Sequence, residues 1–346
     1  MSDKLRLALV GCGAIARYHL NGIKESAPRV AVTAVIDPDA SKTAAFAAET
    51  GAKAYASLAE ALQEDTLDAV DIMVPHHLHE TLAMQALAAG KHVLLEKPMA
   101  PTLDACQRIL DAAAAAQQRF PGLVFMVAEN AQYWPEIVLA KELIDEGAIG
   151  ELITARAAFT FEMDPYFFNE EGERPWRYDR RQTGGGIAID GGSHWLRPLR
   201  MWMGEIKEVM GVLGHPLKKM EGESMVRSLI RFDSGKIATF DALLNDNVMA
   251  PDPWWRITGS KGEIVIEGGF EGGLLLYNHE NRSGRRVAAP LGYAKSFGPE
   301  IHDFSNAALD GTALAAGPQH SLGELRTALA LYRSAESGQW EKVWDS

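Results

Sequence analysis

A short apolar run that ends in glycine and opens into a helical pattern constrains this chain more than any other feature. Residues 10–19 read VGCGAIARYH, a G-x-G-x-x-A at Gly11, Gly13 and Ala16. The preceding LRLALVG (5–11) has the texture of a buried strand. In that setting Gly11 permits a tight turn, Gly13 lets a pyrophosphate approach the backbone, and Ala16 allows close helix–strand packing. The first helical residues, Ala14 and Ile15, would offer free N–H groups and the positive end of the helix dipole to phosphates. Asp37 ends the next β-branched run, 24 residues after Gly13, close to the spacing of a ribose-binding acid. A carboxylate there accepts hydrogen bonds from ribose hydroxyls and repels a 2′-phosphate, and no arginine follows directly. The pattern predicts NAD as cofactor, with NADP disfavoured. Asp37 also fits a plain turn residue in DPDAS.

Strand and helix patterns alternate through the first part of the chain. AVTAVID (31–37), LDAVDIMVP (67–75) and KHVLLEKP (91–98) are strand-like, and LHETLAMQALAAG (78–90) is helical with a closing glycine. LVFMVAENAQY (123–133) reads as the last strand of this half. Such alternation predicts a parallel sheet covered on both faces. The texture then changes. SMVRSLIRFDSGKIATFDALL (224–244) and WWRITGSKGEIVIEGG (254–269) read as hairpins, and two helical patterns close the chain. The expected organisation is α/β, with a dinucleotide-binding domain over 1–125 and a second domain over 126–346 built on a mostly antiparallel sheet. The segment 163–183 is long, aromatic and charged, and a loop of that length points to a functional lid.

Totals exclude some functions. A net charge of −12 argues against nucleic-acid binding. No run of about 18 apolar residues suggests a membrane span. The two cysteines, Cys12 and Cys106, form no metal-binding spacing, and free thiols fit a cytoplasmic protein. The cluster at His76, His77 and His79 lacks catalytic-zinc spacing, so no metal is expected.

The stretch GGGIAIDGGSHWLRPLRMW (184–202) is glycine-dense and then amphipathic. If it is helical, Asp190 and His194 share one face. EKPMA (96–100) places Lys97 where the fifth strand should end, outside which ligands bind in open parallel sheets. A surface lysine, a surface histidine and a capping aspartate are the plain alternatives. Pro198 cannot bond the carbonyl of His194, so a kink or local adjustment is expected there.

The G-x-G-x-x-A start, the acid ending strand two, EKP and GGGIAIDGGSHW together resemble the Gfo/Idh/MocA oxidoreductases over nearly the whole chain. The resemblance implies a Rossmann domain followed by an α/β domain with a large open sheet, and a homo-oligomer, dimer or tetramer. It implies hydride transfer at a carbinol carbon of a sugar, sugar derivative or cyclitol. Lys97, Asp190 and His194 fall on the family's lysine and D-x-x-x-H positions. In that chemistry His194 takes the hydroxyl proton, Lys97 stabilises the alkoxide, and Asp190 positions the substrate. Pro75, His76, His79 and Glu96 would lie against the cofactor. Glu129, Asn130, Tyr133, Trp176, Arg177 and Tyr178 would reach the sugar. A redox-assisted glycosidase or lyase with tightly bound NAD, and a non-catalytic NAD-binding regulator, are the alternatives. Two features depart from the family pattern and bear on the substrate more than on the chemistry: Arg197, followed by Pro198, stands where an aspartate is usual, and the loop before GGG is long.

Overall fold

The computed structural model describes residues 4–64, 66–162, 175–248, 250–288 and 290–344. Two compact units divide the chain. The first holds a six-stranded sheet of β1 (Leu5–Val10), β2 (Val30–Ile36), β3 (Lys53–Tyr55), β4 (Ala69–Ile72), β5 (His92–Glu96) and β6 (Phe125–Ala128), in the order β3-β2-β1-β4-β5-β6. All its pairings are parallel. β4 and β6 are buried at every position, as continuous apolar strands between helical layers should be. The strand order reverses between β1 and β4, which pair through Val10 and Ile72. Gly11 leaves β1 at that switch point, its N–H on the Ile36 carbonyl.

Covering helices follow from side-chain spacing. Thr102 caps the helix Leu103–Arg119 by accepting from the Ala105 N–H, and Cys106, Ile109, Leu110, Ala113 and Ala116 form its buried stripe.

The expected boundary at 125/126 is corrected in two ways. The first unit runs to Glu129, because β6 completes its sheet. Residues 297–322 also return to it. The helix Phe297–Asp310 lies against the helix Ala14–Ser26, where a Cβ at Gly22 would sit 2.7 Å from the Gly298 nitrogen. An amphipathic pattern shows that a helix buries a face, but not which sheet receives it.

The second unit carries β7 (Leu152–Phe161), β8 (Ile206–Gly214), β9 (Met225–Phe232), β10 (Ile237–Leu244), β11 (Trp255–Gly259), β12 (Gly262–Ile266), β13 (Leu274–Asn278), β14 (Arg285–Ala288) and β15 (Glu341–Lys342). They form one sheet in the order β14-β13-β12-β11-β7-β10-β9-β8-β15. Only β7 and β10 pair in parallel among these strands. The hairpin turns fall where DSGK and GSKG predicted them. The helix Ser193–Met203 packs on β7 and β10. Beneath it Trp195 stacks on Trp255 at 5.5 Å and meets Phe159 at 4.0 Å, all three buried.

This helix is tied down by a buried ionic network. Arg197, 1% exposed, donates to both oxygens of Glu324 at 2.8 and 3.1 Å and to Gln132. Arg200 adds a further bond to Glu324 and bonds to Glu205 at 2.8 Å. Burial alone would raise the Glu324 carboxyl, but the two guanidinium groups bring it down to about 2. Because its folded value lies below the ordinary 4.5, its stabilising effect is present above pH 4.5 and lost as pH falls through about 2. Removing one partner of such a group leaves buried charge uncompensated. Glu324→Gln should therefore cost about 3–5 kcal/mol near neutral pH. It should also flatten the acid side of the stability profile. Denaturant melts across pH read both effects, and an acid limb identical to that of the unchanged protein would contradict the account.

Candidate active site

The first unit presents a cradle at the end of β1. Gly11 has φ +92°, and a Cβ there would lie 2.4 Å from the Met73 carbonyl oxygen. Gly13 is the N-cap of the helix Ala14–Ser26, without a side-chain capping bond, and the first turn holds no acid. A Cβ at Gly13 would meet nothing within 4 Å. Gly13 and Ala14 are exposed, and Ile15 is half-buried. Open space beside an uncapped helix start suits an anionic group such as a pyrophosphate, so these residues fit a dinucleotide. Asp37 closes the cradle. It accepts from the Cys12 N–H and from the Asp39 N–H, each at 2.9 Å. Asp37 thus makes the turn bond to Asp39 and also ties the end of β2 to the Gly11–Gly13 loop.

The segment after β4 turns inward more than the sequence suggested. Pro75 leads a short 3-10 turn, His76–Leu78, in which His76 is buried. His79 is fully buried, with Nδ1 2.9 Å from the Pro98 carbonyl and Nε2 2.8 Å from that of Val74. Burial lowers its pKa, so the ring is neutral and donates through one nitrogen. His79 thus lies between the loops after β4 and β5 and bonds one of these two carbonyls. Glu96 is likewise turned inward. Its carboxylate lies 3.0 Å from His19 and accepts from the Lys97 N–H at 3.0 Å. Lys97 is half-buried on the turn after β5. Glu129 is 2% exposed, at the end of the first unit's unbroken stretch.

In the second unit the shared helical face expected for Asp190 and His194 does not form. The helix starts at Ser193, so Asp190 lies in the turn before it. Its carboxylate pairs with Arg177 Nε at 3.0 Å, joining two residues both expected to face substrate. Arg177 also lies over the Trp176 ring at 4.4 Å. Tyr178 is buried, Tyr133 is half-buried, and Asn130 donates to the Ser296 hydroxyl at 2.7 Å. His194 sits in the first helical turn, half-buried, edge-on to Tyr293 at 5.9 Å. The helix runs through Pro198 to Met203. Residues 163–174 of the segment read as a lid lie outside the described residues.

The glycines of this stretch serve packing within the unit rather than clearance for a ligand. A Cβ at Gly185 would lie 2.0 Å from the Tyr332 hydroxyl, and one at Gly186 2.0 Å from the Glu223 carbonyl oxygen. Glu223, 3% exposed, accepts from the Gly186 and Ala188 N–H groups at 2.9 and 2.8 Å and from the Tyr332 hydroxyl at 3.0 Å. Burial pushes its carboxyl up, against these donors.

Known proteins are similar to this chain in sequence and fold. Residues 5–121 match the model of the oxidoreductase family with an NAD-binding Rossmann fold, and residues 137–265 match the GFO/IDH/MocA C-terminal domain. The chain belongs to the Gfo/Idh/MocA family. It is an oxidoreductase of that family, with an NAD-binding first domain. Levoglucosan dehydrogenase of Pseudarthrobacter phenanthrenivorans is 26% identical over 83% of this chain and 76% of its own. The 1,5-anhydro-D-fructose reductase of Ensifer adhaerens is 27% identical over 98% of each. The crystal structure of an NAD-binding oxidoreductase from Klebsiella pneumoniae superposes with a TM-score of 0.83, at 26% identity over 99% of this chain and 100% of its own.

Within the family frame, three residues had escaped sequence reasoning: His19, Glu223 and Tyr293. His19 stands at an apolar position of its helix, beside Ala16, Leu20 and Ile23, which is the one signal it gave. The other two are placed by contacts across long sequence separations.

The cradle geometry separates two glycine substitutions. Gly11→Ala is strained by both φ and the Met73 carbonyl and should lose about 1–3 kcal/mol of stability. Gly13→Ala meets only open space and should melt like the unchanged protein, while binding dinucleotide about tenfold more weakly. Thermal melts with and without NAD distinguish the two, and unimpaired binding by Gly13→Ala would remove Gly13 from the cradle.

Proposed function

We propose that the protein is an NAD-dependent dehydrogenase of a sugar, sugar derivative or cyclitol, acting at a ring carbinol. The observation that carries this reading is the uncapped, acid-free helix start beside the open Gly13, with Asp37 at the end of β2. Relatives named for levoglucosan and 1,5-anhydro-D-fructose support the substrate class. Gly11, Gly13, Ala14 and Ile15 would hold the pyrophosphate, and Asp37 the adenosine ribose. When bound, NAD accepts the hydride released by the carbinol carbon.

The chain's own part is to bind, orient and move the proton. His194 takes the hydroxyl proton as general base. Its ring is presented from a helix start that Glu223 and the Trp195 stack hold in place. Lys97, at the carboxyl end of a parallel strand, favours the alkoxide as it forms. Asp190 acts through its pair with Arg177, which sets both side chains for hydroxyl recognition. Trp176 and Tyr133 offer ring faces for a sugar.

A panel of sugars, glycosides and cyclitols with NAD, read by nicotinamide absorbance, tests the reading. NADH should accumulate with at least one member, and a panel without turnover despite tight NAD binding would favour a regulator. His194→Ala should keep NAD binding and lose about 10²–10⁴-fold in turnover. NAD should raise the melting temperature more than NADP does, by mass action on the native state. An equal NADP effect would contradict the Asp37 role.

The outward face of the large sheet supports assembly. Met210 and Leu229 are cross-strand partners there, and Val212 and Ile237 extend the exposed apolar surface. A homodimer or homotetramer should appear on sizing with light scattering, and Val212→Glu should weaken it.

A further inference from the structure

The first unit contains a buried charged chain that the proposed chemistry does not use. His19, fully buried on the helix Ala14–Ser26, stands between two carboxylates. Its Nδ1 lies 2.8 Å from Asp71 Oδ2 on β4, and its Nε2 lies 3.0 Å from Glu96 Oε1 at the end of β5. The other oxygen of Glu96 accepts the Lys97 N–H at 3.0 Å. One imidazole therefore ties the cradle helix, β4 and the turn bearing Lys97 to a single point.

The surroundings keep this chain together. Phe297 covers the imidazole at 5.2 Å, from the helix that returns to this unit. Glu300 on the same helix is fully buried, and neither carboxyl oxygen has a hydrogen-bond partner among the described residues. Burial raises the Glu300 carboxyl well above the usual range, so it stands neutral. Burial alone would push His19 down, yet Asp71 and Glu96 raise it well above its ordinary value. The ring is an imidazolium, and its bonds to both carboxylates are charge-assisted, hence short and directional. Glu96, Glu129, Asp71 and Glu300 are the acids that act on this site from β4, β5, β6's end and the returning helix.

We propose that His19 is a positioning residue for Lys97: it clamps Glu96 from behind, and Glu96 in turn fixes the backbone of the turn that presents the lysine. Asp71 orients the imidazole, Glu96 transmits the constraint, and Lys97 receives it. The inference rests on the role of Lys97 proposed above. Misplacing a reacting group by about an ångström costs up to about a hundredfold in rate, so a clamp two residues removed from the chemistry can govern turnover.

The test uses the full chain and needs no substrate for its first readout. The Lys97 amine is labelled with trace acetic anhydride across the pH range where lysine ionises, with Lys207 as internal reference. Melting temperature and NAD binding are followed alongside. His19→Gln should change the Lys97 labelling profile about threefold, Lys207 unaltered, at near-normal NAD affinity. Glu96→Leu should reproduce that change, and Glu96→Gln, which still accepts the Lys97 N–H, should produce less of it. The double variant His19→Gln/Glu96→Leu should add nothing further, because both act through one chain. Should His19→Gln not fold, the two Glu96 variants carry the comparison alone. With a substrate from the panel, His19→Gln should lower kcat about tenfold or more at little change in KM. A folded His19→Gln with the labelling profile and kcat of the unchanged protein overturns the inference, as does additivity in the double variant. Lys97→Met separates the two claims. Retained turnover there removes Lys97 from the chemistry whatever the labelling shows, and lost turnover beside a normal His19→Gln removes only the clamp.

Discussion

Carboxylates that accept backbone N–H groups hold four of the loops around the proposed site. Asp37 takes the Cys12 N–H in the cradle, and Glu96 takes that of Lys97. Glu223 takes those of Gly186 and Ala188 before the His194 helix. Glu136 takes those of Leu291 and Gly292, at 2.6 and 3.1 Å, just ahead of Tyr293. Loops carry reactive side chains but lack the repeating bonds of helices and strands, so their N–H groups need partners from elsewhere. An ionised acceptor bonds more strongly than a neutral one and takes two donors at once. Each such acid lies on, or close to, an element already fixed by its sheet or helix layer. The loops thus inherit the rigidity of the scaffold.

The same acids carry a cost that the structure answers case by case. Glu96 gains a buried cation in His19, and Glu324 gains two guanidinium groups. Glu223 relies on two amides and a tyrosine hydroxyl, and burial raises its carboxyl. Glu300 has no hydrogen-bond partner among the described residues, and burial raises its carboxyl so that it is neutral. Four buried glutamates therefore sit in four charge environments, and only local geometry separates them. Nothing in the letter E marks which is a clamp, which an ion-pair partner and which an apolar filler.

That contrast explains how much of the molecule was legible in its sequence. The first sheet was readable because its signals are local: glycines such as Gly11 and Gly90 at turns, apolar runs of strand length, and helices with caps such as Thr102. The hairpins around DSGK and GSKG were readable for the same reason. The return of residues 297–322 to the first unit was not, since an apolar stripe names no destination. The helical spacing of Asp190 and His194 misled, because Gly191 and Gly192 delay the helix until Ser193. His19 lies in the buried stripe of its helix, and nothing local marks it as charged. Its partners Asp71 and Glu96 lie 52 and 77 residues away.

Arg197 shows where a pattern departure acquires meaning only in three dimensions. Read along the chain, an arginine in place of a family aspartate beside His194 bears on the substrate more than on the chemistry. In the fold its guanidinium is buried against Glu324, 127 residues on, and Gln132. A buried guanidinium needs a carboxylate of matching geometry, and the helix Leu322–Ser337 supplies one at its start. Pro198 belongs to the same account. It gives up one backbone bond inside a helix that Arg197 and Arg200 anchor on either side of it through Glu324. The departure thus alters how the His194 helix is held, one turn away from the imidazole.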